Sequence, residues 1–204
     1  MFITLEGPEG SGKTTQTQRL AEWLQAQGCN VLALREPGGT PIGDRIRAVL
    51  VDRASAGMHA RTELLLFCAS RAQMLDERVK PHLARGGIVL CDRFADSSLA
   101  YQGYGRGLDL DVLRVLLDFA TFGVKPDLTL FLDLDVEAGL QRRVKNGGEW
   151  NRLDAEALDF HRRVRAGYQA LAAEQPGRWV RIDAGQSTEW VESAIQTAVS
   201  ARLV

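Results

Sequence analysis

The sequence predicts an α/β fold in which helices cover both faces of a five-stranded parallel sheet. Five short apolar runs are typical of buried strands, and helical patterns separate each run from the next. Runs with little polar alternation are expected where a strand is buried on both faces. The predicted strands are Met1–Leu5, Val31–Leu34, Ile88–Cys91, Leu128–Asp133 and Trp179–Ile182. No linker or internal repeat interrupts the chain, which favours one domain over residues 1–204.

Seven helices are predicted around these strands. The first follows a glycine-rich loop and ends at Gly28. Pro81 lies inside the third and should kink or end it, because proline lacks the N–H that a helix interior needs. The predicted helices are Lys13–Gln27, Gly43–Val51, Arg61–Arg85, Asp111–Phe122, Val136–Val144, Ala155–Glu174 and Glu189–Arg202.

Composition argues against several classes of protein. The net charge of −1 gives no reason to expect a surface that binds nucleic acid or membranes. No apolar run approaches the ~18 residues that a membrane span needs, and the N-terminus has no secretory signal. Cys29, Cys68 and Cys91 lack metal-ligand spacing and are expected to be reduced thiols. We therefore expect a cytoplasmic protein.

Residues Gly7–Thr14 match the phosphate-binding motif G-x-x-x-x-G-K-[ST]. A predicted strand precedes the motif and a predicted helix follows it, which is the context that such a loop requires. The loop can point successive backbone N–H groups at phosphate oxygens, and the helix N-terminus adds positive potential. Lys13 is expected to reach the β- and γ-phosphates, and Thr14 is expected to ligate Mg²⁺.

Charged residues follow four of the predicted strands. Because ligands bind at the carboxyl ends of the strands in an open parallel sheet, these groups are expected to converge on one site. They are Glu6-Gly7, Arg35-Glu36-Pro37, Asp92-Arg93-Phe94 and Asp133-Leu134-Asp135. Asp92 stands where P-loop enzymes place a second carboxylate beside Mg²⁺, and Arg93 offers a planar fork to phosphoryl oxygens. The alternative is that Asp92 and Arg93 only cap the helix that follows.

Further motifs give the chain a resemblance to the bacterial thymidylate kinase family. They are Leu5–Thr15, Arg35–Pro41, Leu66–Gln73, Asp92–Phe94 through Ser98, Ala100–Gly103 and Pro126–Asp133. They occur in the family's order and run over most of the chain. The P-loop alone is common to many activities, whereas the segments at Arg35–Pro41 and Asp92–Gly103 are much more specific.

The resemblance implies a P-loop kinase architecture and a Mg²⁺-dependent transfer from ATP to dTMP, giving ADP and dTDP for dTTP synthesis. It implies ATP and Mg²⁺ as cofactors and a homodimer as the assembly. The implied ATP-binding residues are Gly7, Pro8, Glu9, Gly10, Ser11, Gly12, Lys13, Thr14 and Thr15. The implied dTMP-binding residues are Glu36, Pro37, Phe67, Arg71, Arg93, Ser98, Tyr101 and Gln102. Thr14 and Asp92 are the implied metal residues.

Individual roles also follow from the resemblance. Glu9 is expected near the 3′-hydroxyl of the acceptor sugar, and the ring of Tyr101 is expected to crowd its 2′ position. Phe67 and Arg71 resemble the pair that stacks on thymine and hydrogen-bonds to it. Independently, these two residues are four apart on a predicted helix, so both should lie on one face. For Phe67, simple core packing is the alternative.

Ser98 and Gln102 resemble further base-contacting positions. Arg93, with Glu36 and Pro37, is expected at the acceptor phosphate and the Mg²⁺ shell. Asp159 aligns loosely with an acidic residue that the family places near that site.

A mobile lid is predicted at about residues 142–152. The segment Lys145–Arg152 lies between two predicted helices and contains paired glycines. The P-loop has no arginine, and members of this kind place catalytic arginines in the lid; Gly147–Asn151, however, has no basic residue. Arg152 is the first choice, followed by Arg143 and Arg142. The alternative for the last two is a solvated helix end. The predicted catalytic set is Lys13, Arg93, Glu9, Arg152 and Arg143.

Three other interpretations remain open. A P-loop kinase for another nucleotide or a nucleoside would share Lys13, Thr14 and Asp92. A nucleotide-switched GTPase would need an N-K-x-D motif, which the sequence lacks. A partner-binding protein with an inactive P-loop is disfavoured by the intact Lys13 and Thr14.

Apolar faces on Arg61–Met74 or Asp111–Phe122 could form a dimer interface. The scattered histidines are given no catalytic role, and Arg162, Arg163 and Arg165 are interpreted as a solvated, salt-bridged face.

Overall fold

Within residues 1–145, 147 and 150–203, which the computed structural model describes, five parallel strands form one sheet. Their order in the sheet is β2-β3-β1-β4-β5. The strands are Phe2–Glu6 (β1), Val31–Arg35 (β2), Ile88–Asp92 (β3), Leu128–Asp133 (β4) and Trp179–Asp183 (β5). All five predicted strands are therefore confirmed, and four of them end one residue later than predicted.

Nine α-helices flank the sheet in the described part of the chain. They are α1 (Lys13–Ala26), α2 (Pro41–Val51), α3 (Ala60–Met74), α4 (Lys80–Ala84), α5 (Ala95–Ser98), α6 (Leu110–Thr121), α7 (Val136–Lys145), α8 (Leu158–Glu174) and α9 (Thr188–Ser200). A short 3₁₀ turn covers Arg53–Ser55, and π-helical segments cover Leu75–Val79 and Leu99–Gly105. Helix α2 begins two residues earlier than predicted because the Thr40 side chain accepts a hydrogen bond from Gly43 N–H, at 3.0 Å.

The single helix predicted over Arg61–Arg85 is wrong. Helix α3 ends at Met74, the π-helical segment follows, and α4 begins at Lys80. The Lys80 N–H donates to the carbonyl of Leu75, five residues earlier. Pro81 therefore falls in the first turn of α4, where the missing N–H costs no intrahelical hydrogen bond.

Two further differences from the prediction exceed one or two residues at a helix end. Residues 95–105 are helical although no helix was predicted there. This segment is fixed by tertiary packing: a Cβ on Gly105 would lie 2.7 Å from the Phe160 ring of α8. Helix α8 begins at Leu158 rather than Ala155, because the Asn151 side chain holds a turn by accepting from the N–H groups of Leu153 and Asp154.

Hydrophobic cores lie on both faces of the sheet, as predicted. Ile3 and Leu5 of β1 pack on one face with Leu20 of α1 and Ile195 of α9. On the other face, Phe2 packs edge-on against Phe94, with ring centroids 4.9 Å apart. These layers leave the carboxyl ends of β1, β2 and β3 side by side. No helix in the described residues is both long and apolar enough to cross a membrane.

Candidate active site

The phosphate-binding loop joins β1 to α1 and packs closely against α7. Gly10 adopts a positive φ of 71°, and a Cβ on it would lie 2.0 Å from the carbonyl oxygen of Gly139. Gly12, in the left-handed conformation, precedes α1, and the described residues provide no side-chain cap there. The N–H groups of the first turn of α1 are therefore left for an anion.

Lys13 is held inside the loop. Its Nζ donates to the carbonyl oxygens of Gly7 at 3.1 Å and Pro8 at 2.8 Å, and to Ser11 Oγ at 3.1 Å. Burial, with the nearby guanidinium of Arg93, lowers the pKa of Lys13 to about 8. The ammonium group is thus poorly compensated in this arrangement, and a bound polyanion would stabilise it.

Thr14 and Asp92 are brought together as the sequence predicts. Thr14 Oγ1 donates to Asp92 Oδ2 at 2.5 Å. Asp92 ends β3, which pairs with β1 beside the loop. The described residues contain no group of three His, Cys, Asp or Glu side chains that could hold a metal. A hydroxyl and a carboxylate nevertheless fit Mg²⁺, which commonly takes one or two protein ligands and completes its shell with phosphates and water.

Arg93 spans the space between the loop and α8. It adopts a positive φ of 71°, held by its own N–H bonding to the Leu5 carbonyl at 3.0 Å. Nη1 donates to the Gly7 carbonyl and to the Tyr168 hydroxyl, both at 3.1 Å. The guanidinium also lies 4.9 Å from the centroid of the Tyr101 ring.

Glu9 extends from the loop toward Arg93 and Tyr101. Its Oε1 accepts from Arg93 Nη2 and from the Tyr101 hydroxyl, each at 2.8 Å. Burial alone would raise the pKa of Glu9, but the charges of Arg93 and Lys13 outweigh it and lower the pKa to about 2. Glu9 is therefore a stable carboxylate in the middle of the site.

Arg71 forms the far end of the site. Its side chain is 1% exposed, and Nε and Nη2 donate to Glu36 Oε2 at 2.8 and 2.6 Å. Nη2 also donates to Ser98 Oγ at 3.1 Å. Nη1 is buried and has no hydrogen-bond partner among the described residues. A buried donor without a partner is costly, so Nη1 is well placed to recognise a ligand. The half-buried Phe67 lies one turn earlier on α3.

These groups line one cavity of about 340 Å³. Six cationic and three acidic side chains line it within the described ranges. The cations are Lys13, Arg35, Arg47, Arg71, Arg93 and Arg143, and the acids are Glu9, Glu36 and Asp92. Such an excess of positive charge favours anionic ligands. Most of the predicted ligand-binding residues line the cavity. The exceptions are Gly7, Pro8 and Ser11, which accept hydrogen bonds from Lys13 Nζ.

Sequence reasoning gave no role to Arg47 and marked Arg35 only as one of the charges that follow a strand, and both line the cavity. Arg47 Nη1 donates to the Pro37 carbonyl at 2.9 Å. Burial and the charge of Arg35 lower the pKa of Arg47. Arg35 ends β2, and its place at the cavity agrees with its prediction as a strand-end charge. Arg47 lies on α2, where no local pattern marks it.

Of the three arginines predicted for the lid, Arg143 is the one that lies at the cavity. Arg143 lines the cavity and pairs with Asp154 at 3.1 Å. Arg152 lies outside it, 5% exposed, and Nε donates to the Leu50 carbonyl at 3.0 Å. Arg142 donates to the Ala184 carbonyl at 2.7 Å, away from the cavity. Within the predicted lid, Asn146, Gly148 and Glu149 lie outside the described residues.

The fourth strand end does not join the cavity, contrary to prediction. Asp133 accepts from Arg165 Nε at 2.8 Å and pairs with Arg181 at 2.5 Å. Asp135 caps α7 by accepting from the Glu137 and Ala138 N–H groups. Both carboxylates are bound by neighbouring arginines or backbone N–H groups, so the cavity lies at the ends of β1, β2 and β3.

Two further predictions concern Asp159 and the basic cluster on α8. Asp159 lies on the exposed surface and pairs with Arg162 at 3.1 Å, so it does not reach the cavity. The basic cluster on α8 is salt-bridged as predicted at Arg162 and Arg165, but Arg163 donates to the Gly105 carbonyl, at 2.9 Å from Nη2.

Comparison with known proteins matches this geometry to one family. The family model described as thymidylate kinase matches residues 5–195. A thymidylate kinase of Roseiflexus castenholzii is 50% identical, over 98% of this chain and 92% of its own. One of Desulfovibrio desulfuricans is 51% identical, over 100% and 96%. The crystal structure of thymidylate kinase from Ehrlichia chaffeensis superposes with a TM-score of 0.78 at 36% identity, covering 97% of this chain and 98% of that one. The chain belongs to the thymidylate kinase family.

Proposed function

We propose that the cavity between the phosphate-binding loop and α3 is the site at which this chain phosphorylates dTMP. Membership of the family indicates ATP-dependent conversion of dTMP to dTDP. The observation that carries the site assignment is the pairing, in one cationic cavity, of Lys13 at one end with the unpartnered Nη1 of Arg71 at the other. One end suits a triphosphate and the other suits the edge of a base.

The donor end is assigned to residues Gly7–Thr15. The N–H groups at the start of α1, which follow the left-handed Gly12, have no side-chain cap in the described residues and can bind phosphate oxygens. Lys13 would exchange its loop acceptors for phosphate oxygens. Thr14 and Asp92 would hold Mg²⁺, which neutralises charge on the donor phosphates when it is bound. Their contact across the loop supports this assignment.

The acceptor end is assigned to α3 and to the segment Ala95–Gly105. The Phe67 ring offers a stacking surface, and Arg71 Nη1 offers a donor to a carbonyl of thymine. Ser98 supports Arg71, and Gln102 lines the same wall. Tyr101, held by Glu9, would limit the space near the sugar's 2′ position.

Transfer itself requires positioning and charge stabilisation more than covalent chemistry. The acceptor phosphate is already anionic, so no strong general base is needed. Arg93, Arg47 and Glu36 with Pro37 border the space between the two ends, and we assign the acceptor phosphate to it. Glu9 would orient Arg93 and approach the sugar hydroxyl. Arg143 is the favoured lid arginine for the transferring group, because it is the one that lines the cavity.

The test is ADP release from Mg²⁺-ATP, measured separately with dTMP, dUMP, UMP, CMP, GMP, AMP and thymidine. We expect strong stimulation by dTMP, with dUMP weaker and ribonucleotides weakest. Stimulation by a different nucleotide would keep the donor assignment but contradict the base pocket. ADP release independent of any acceptor would indicate an ATPase instead. Omitting Mg²⁺ and adding a chelator should abolish the dTMP-dependent release.

The assembly is proposed to be a homodimer built on α3 and α6. These helices expose an apolar face: Phe119 is 84% exposed and Val115 is 71% exposed, with Leu65 and Val112 beside them. Contiguous exposed apolar surface of this kind usually marks an interface. Light scattering after size-exclusion chromatography tests it, with twice the monomer mass expected.

Two broader assignments concern the domain and the location of the protein. We propose one kinase domain over residues 1–204 with a lid at about 142–152, since one sheet organises the described helices. We also propose a cytoplasmic location, which suits cysteines that are all free thiols.

A further inference from the structure

A buried carboxylate that the sequence did not mark lies beside the acceptor end. Glu63 is in the first turn of α3 and is fully buried. It accepts from Gln102 Nε2 at 2.8 Å and from Arg106 Nη2 at 3.1 Å. It also forms an ion pair with Arg152 Nη2 at 2.6 Å, in which the Nη2 N–H groups are not aligned for a hydrogen bond. Burial acts to raise the pKa of Glu63, but hydrogen bonds from Arg106 and Gln102 and the nearby arginine charges lower it overall. The carboxylate is therefore charged and shared by three side chains.

One side of this cluster reaches the acceptor-base pocket. Glu63, Phe67 and Arg71 are spaced four residues apart and lie on one face of α3. Gln102 lines the cavity and bonds to Glu63, so Glu63 fixes the orientation of the Gln102 amide. A substitution of Glu63 would therefore change the position of Gln102 in the proposed base pocket.

The other side of the cluster reaches the C-terminal end of the predicted lid. Arg152 pairs with Glu63, and its own N–H donates to the Val51 carbonyl at 3.2 Å. Its neighbours Asn151 and Leu153 line the cavity. Asp154, which follows Leu153, forms an ion pair with Arg143 Nη2 at 3.1 Å. Arg152 therefore anchors the short turn that presents Arg143 to the cavity.

We propose that Glu63 is a positioning residue that locks the turn 151–154 against the acceptor-base pocket through Arg152 while it holds Gln102 in that pocket. The inference rests on the proposed function of the cavity. One carboxylate then couples two events, the binding of dTMP and the placement of Arg143. Loss of Glu63 should raise the KM for dTMP and lower kcat together. The KM for ATP should change little, because in the described residues no hydrogen bond or ion pair joins Glu63 or Arg152 to the phosphate-binding loop.

The competing explanation is that Glu63 and Arg152 only stabilise the fold. A residue of that kind lowers the melting temperature without shifting KM and kcat at temperatures where the protein is fully folded. A second alternative is that Arg152 leaves Glu63 and acts on the transferring phosphoryl group. In that case Arg152 variants would lose kcat far more than Glu63 variants.

The experiment compares Glu63→Gln, Arg152→Met and the double variant in steady-state kinetics, well below each melting temperature. Glu174→Gln is the matched control, because Glu174 pairs with Arg114 at 3.1 Å on the surface, away from the cavity. We expect each single variant to raise the dTMP KM and lower kcat by about tenfold, the effect of one lost charge-assisted contact. The double variant should lose no more than the worse single variant, because both remove the same contact.

Several outcomes would overturn the inference. These are single variants within about twofold of wild type, losses that multiply in the double variant, or a kcat loss confined to Arg152→Met. If Glu63→Gln does not fold, Arg152→Met and Arg152→Lys decide. Lysine should then recover part of the dTMP KM by keeping the ion pair, and no recovery would contradict the proposal. A wild-type protein that is inactive with dTMP would refute the proposed function instead, which the same assay reports separately.

Discussion

Replacing Lys13 by methionine should abolish turnover while it changes the pH dependence of stability. Lys13 is 6% exposed, and among the described residues its ammonium donates to neutral oxygens of the loop. Its pKa falls from 10.5 to about 8, chiefly because of burial. A shift of this size corresponds to about 3 kcal/mol against the charged form. The buried lysine therefore destabilises the folded protein without ligand, and the proposed phosphate binding would offset this cost.

The sign of the pH effect follows from proton counts. Between pH 8 and 10.5 the unfolded chain keeps the Lys13 proton while the folded protein releases it. Stability from this group therefore rises with pH across that window, by at most about 1.4 kcal/mol per pH unit. Below pH 8, Lys13 is protonated in both the folded and the unfolded chain, and the buried charge lowers the stability of wild type by the full amount. Methionine removes the charge, so the variant lacks this rise.

Hydrogen bonding opposes the gain from removing the charge. Lys13→Met leaves three loop oxygens without their donor, at about 1 kcal/mol each, and water in the cavity can replace part of that loss. At pH 7 we therefore expect the variant to be at least as stable as wild type, by roughly 0–2 kcal/mol. The pH slope is the sharper test, because the lost hydrogen bonds affect it less.

Urea unfolding of both proteins from pH 7 to 10 measures the difference. Wild type should gain about 2 kcal/mol relative to Lys13→Met between pH 8 and 9.5. Turnover of the variant should fall at least ~10²-fold, since the lysine acts electrostatically. Lys125→Met, at an exposed position, is the control and should show neither effect. A constant difference in unfolding free energy between wild type and Lys13→Met would refute the burial argument.

Three further predictions follow from the site and the surface. Arg143→Met should lower kcat about 10²-fold with a nearly unchanged KM for dTMP, measured against Arg162→Met, which lies on the surface. Arg71→Met should leave Glu36 buried without its partner; we expect urea unfolding to show a loss of about 3–5 kcal/mol at neutral pH, and retained stability would contradict this. Phe119→Lys should convert a dimer into a monomer by light scattering, and an unchanged mass would exclude the α6 face from the interface.

The strands and the phosphate-binding loop could be predicted because their signals are local. A buried strand such as Leu128–Asp133 is a continuous apolar run, and the loop is defined by glycine spacing and Lys13. The meeting of Thr14 with Asp92 also followed, since the carboxyl ends of adjacent parallel strands share one edge. In each case the pattern along the chain determines the position in space.

The acceptor end could not be derived from local pattern in the same way. Ser98, Tyr101 and Gln102 lie on a helical segment that no sequence period indicates, because packing against α8 shapes it. They were reached only through the family resemblance. Arg47 and Glu63 had no signal at all, since each gains its role from side chains far away in the sequence.

The choice between the lid arginines shows why partners decide such roles. Both Arg143 and Arg152 pair with buried carboxylates, Asp154 and Glu63, but the Arg143 side chain remains 29% exposed while that of Arg152 is only 4% exposed. Moving Arg152 to a phosphoryl group would strand Glu63 without one of its two arginine partners, and breaking a buried pair costs about 3–5 kcal/mol. Arg143 already borders the cavity and is partly exposed, and we therefore propose it as the arginine that contacts the transferring phosphoryl group. Position in a loop made both residues candidates, and the exposure of the arginine side chain itself separates them: we expect the buried Arg152 to hold the turn and the more exposed Arg143 to meet the substrate.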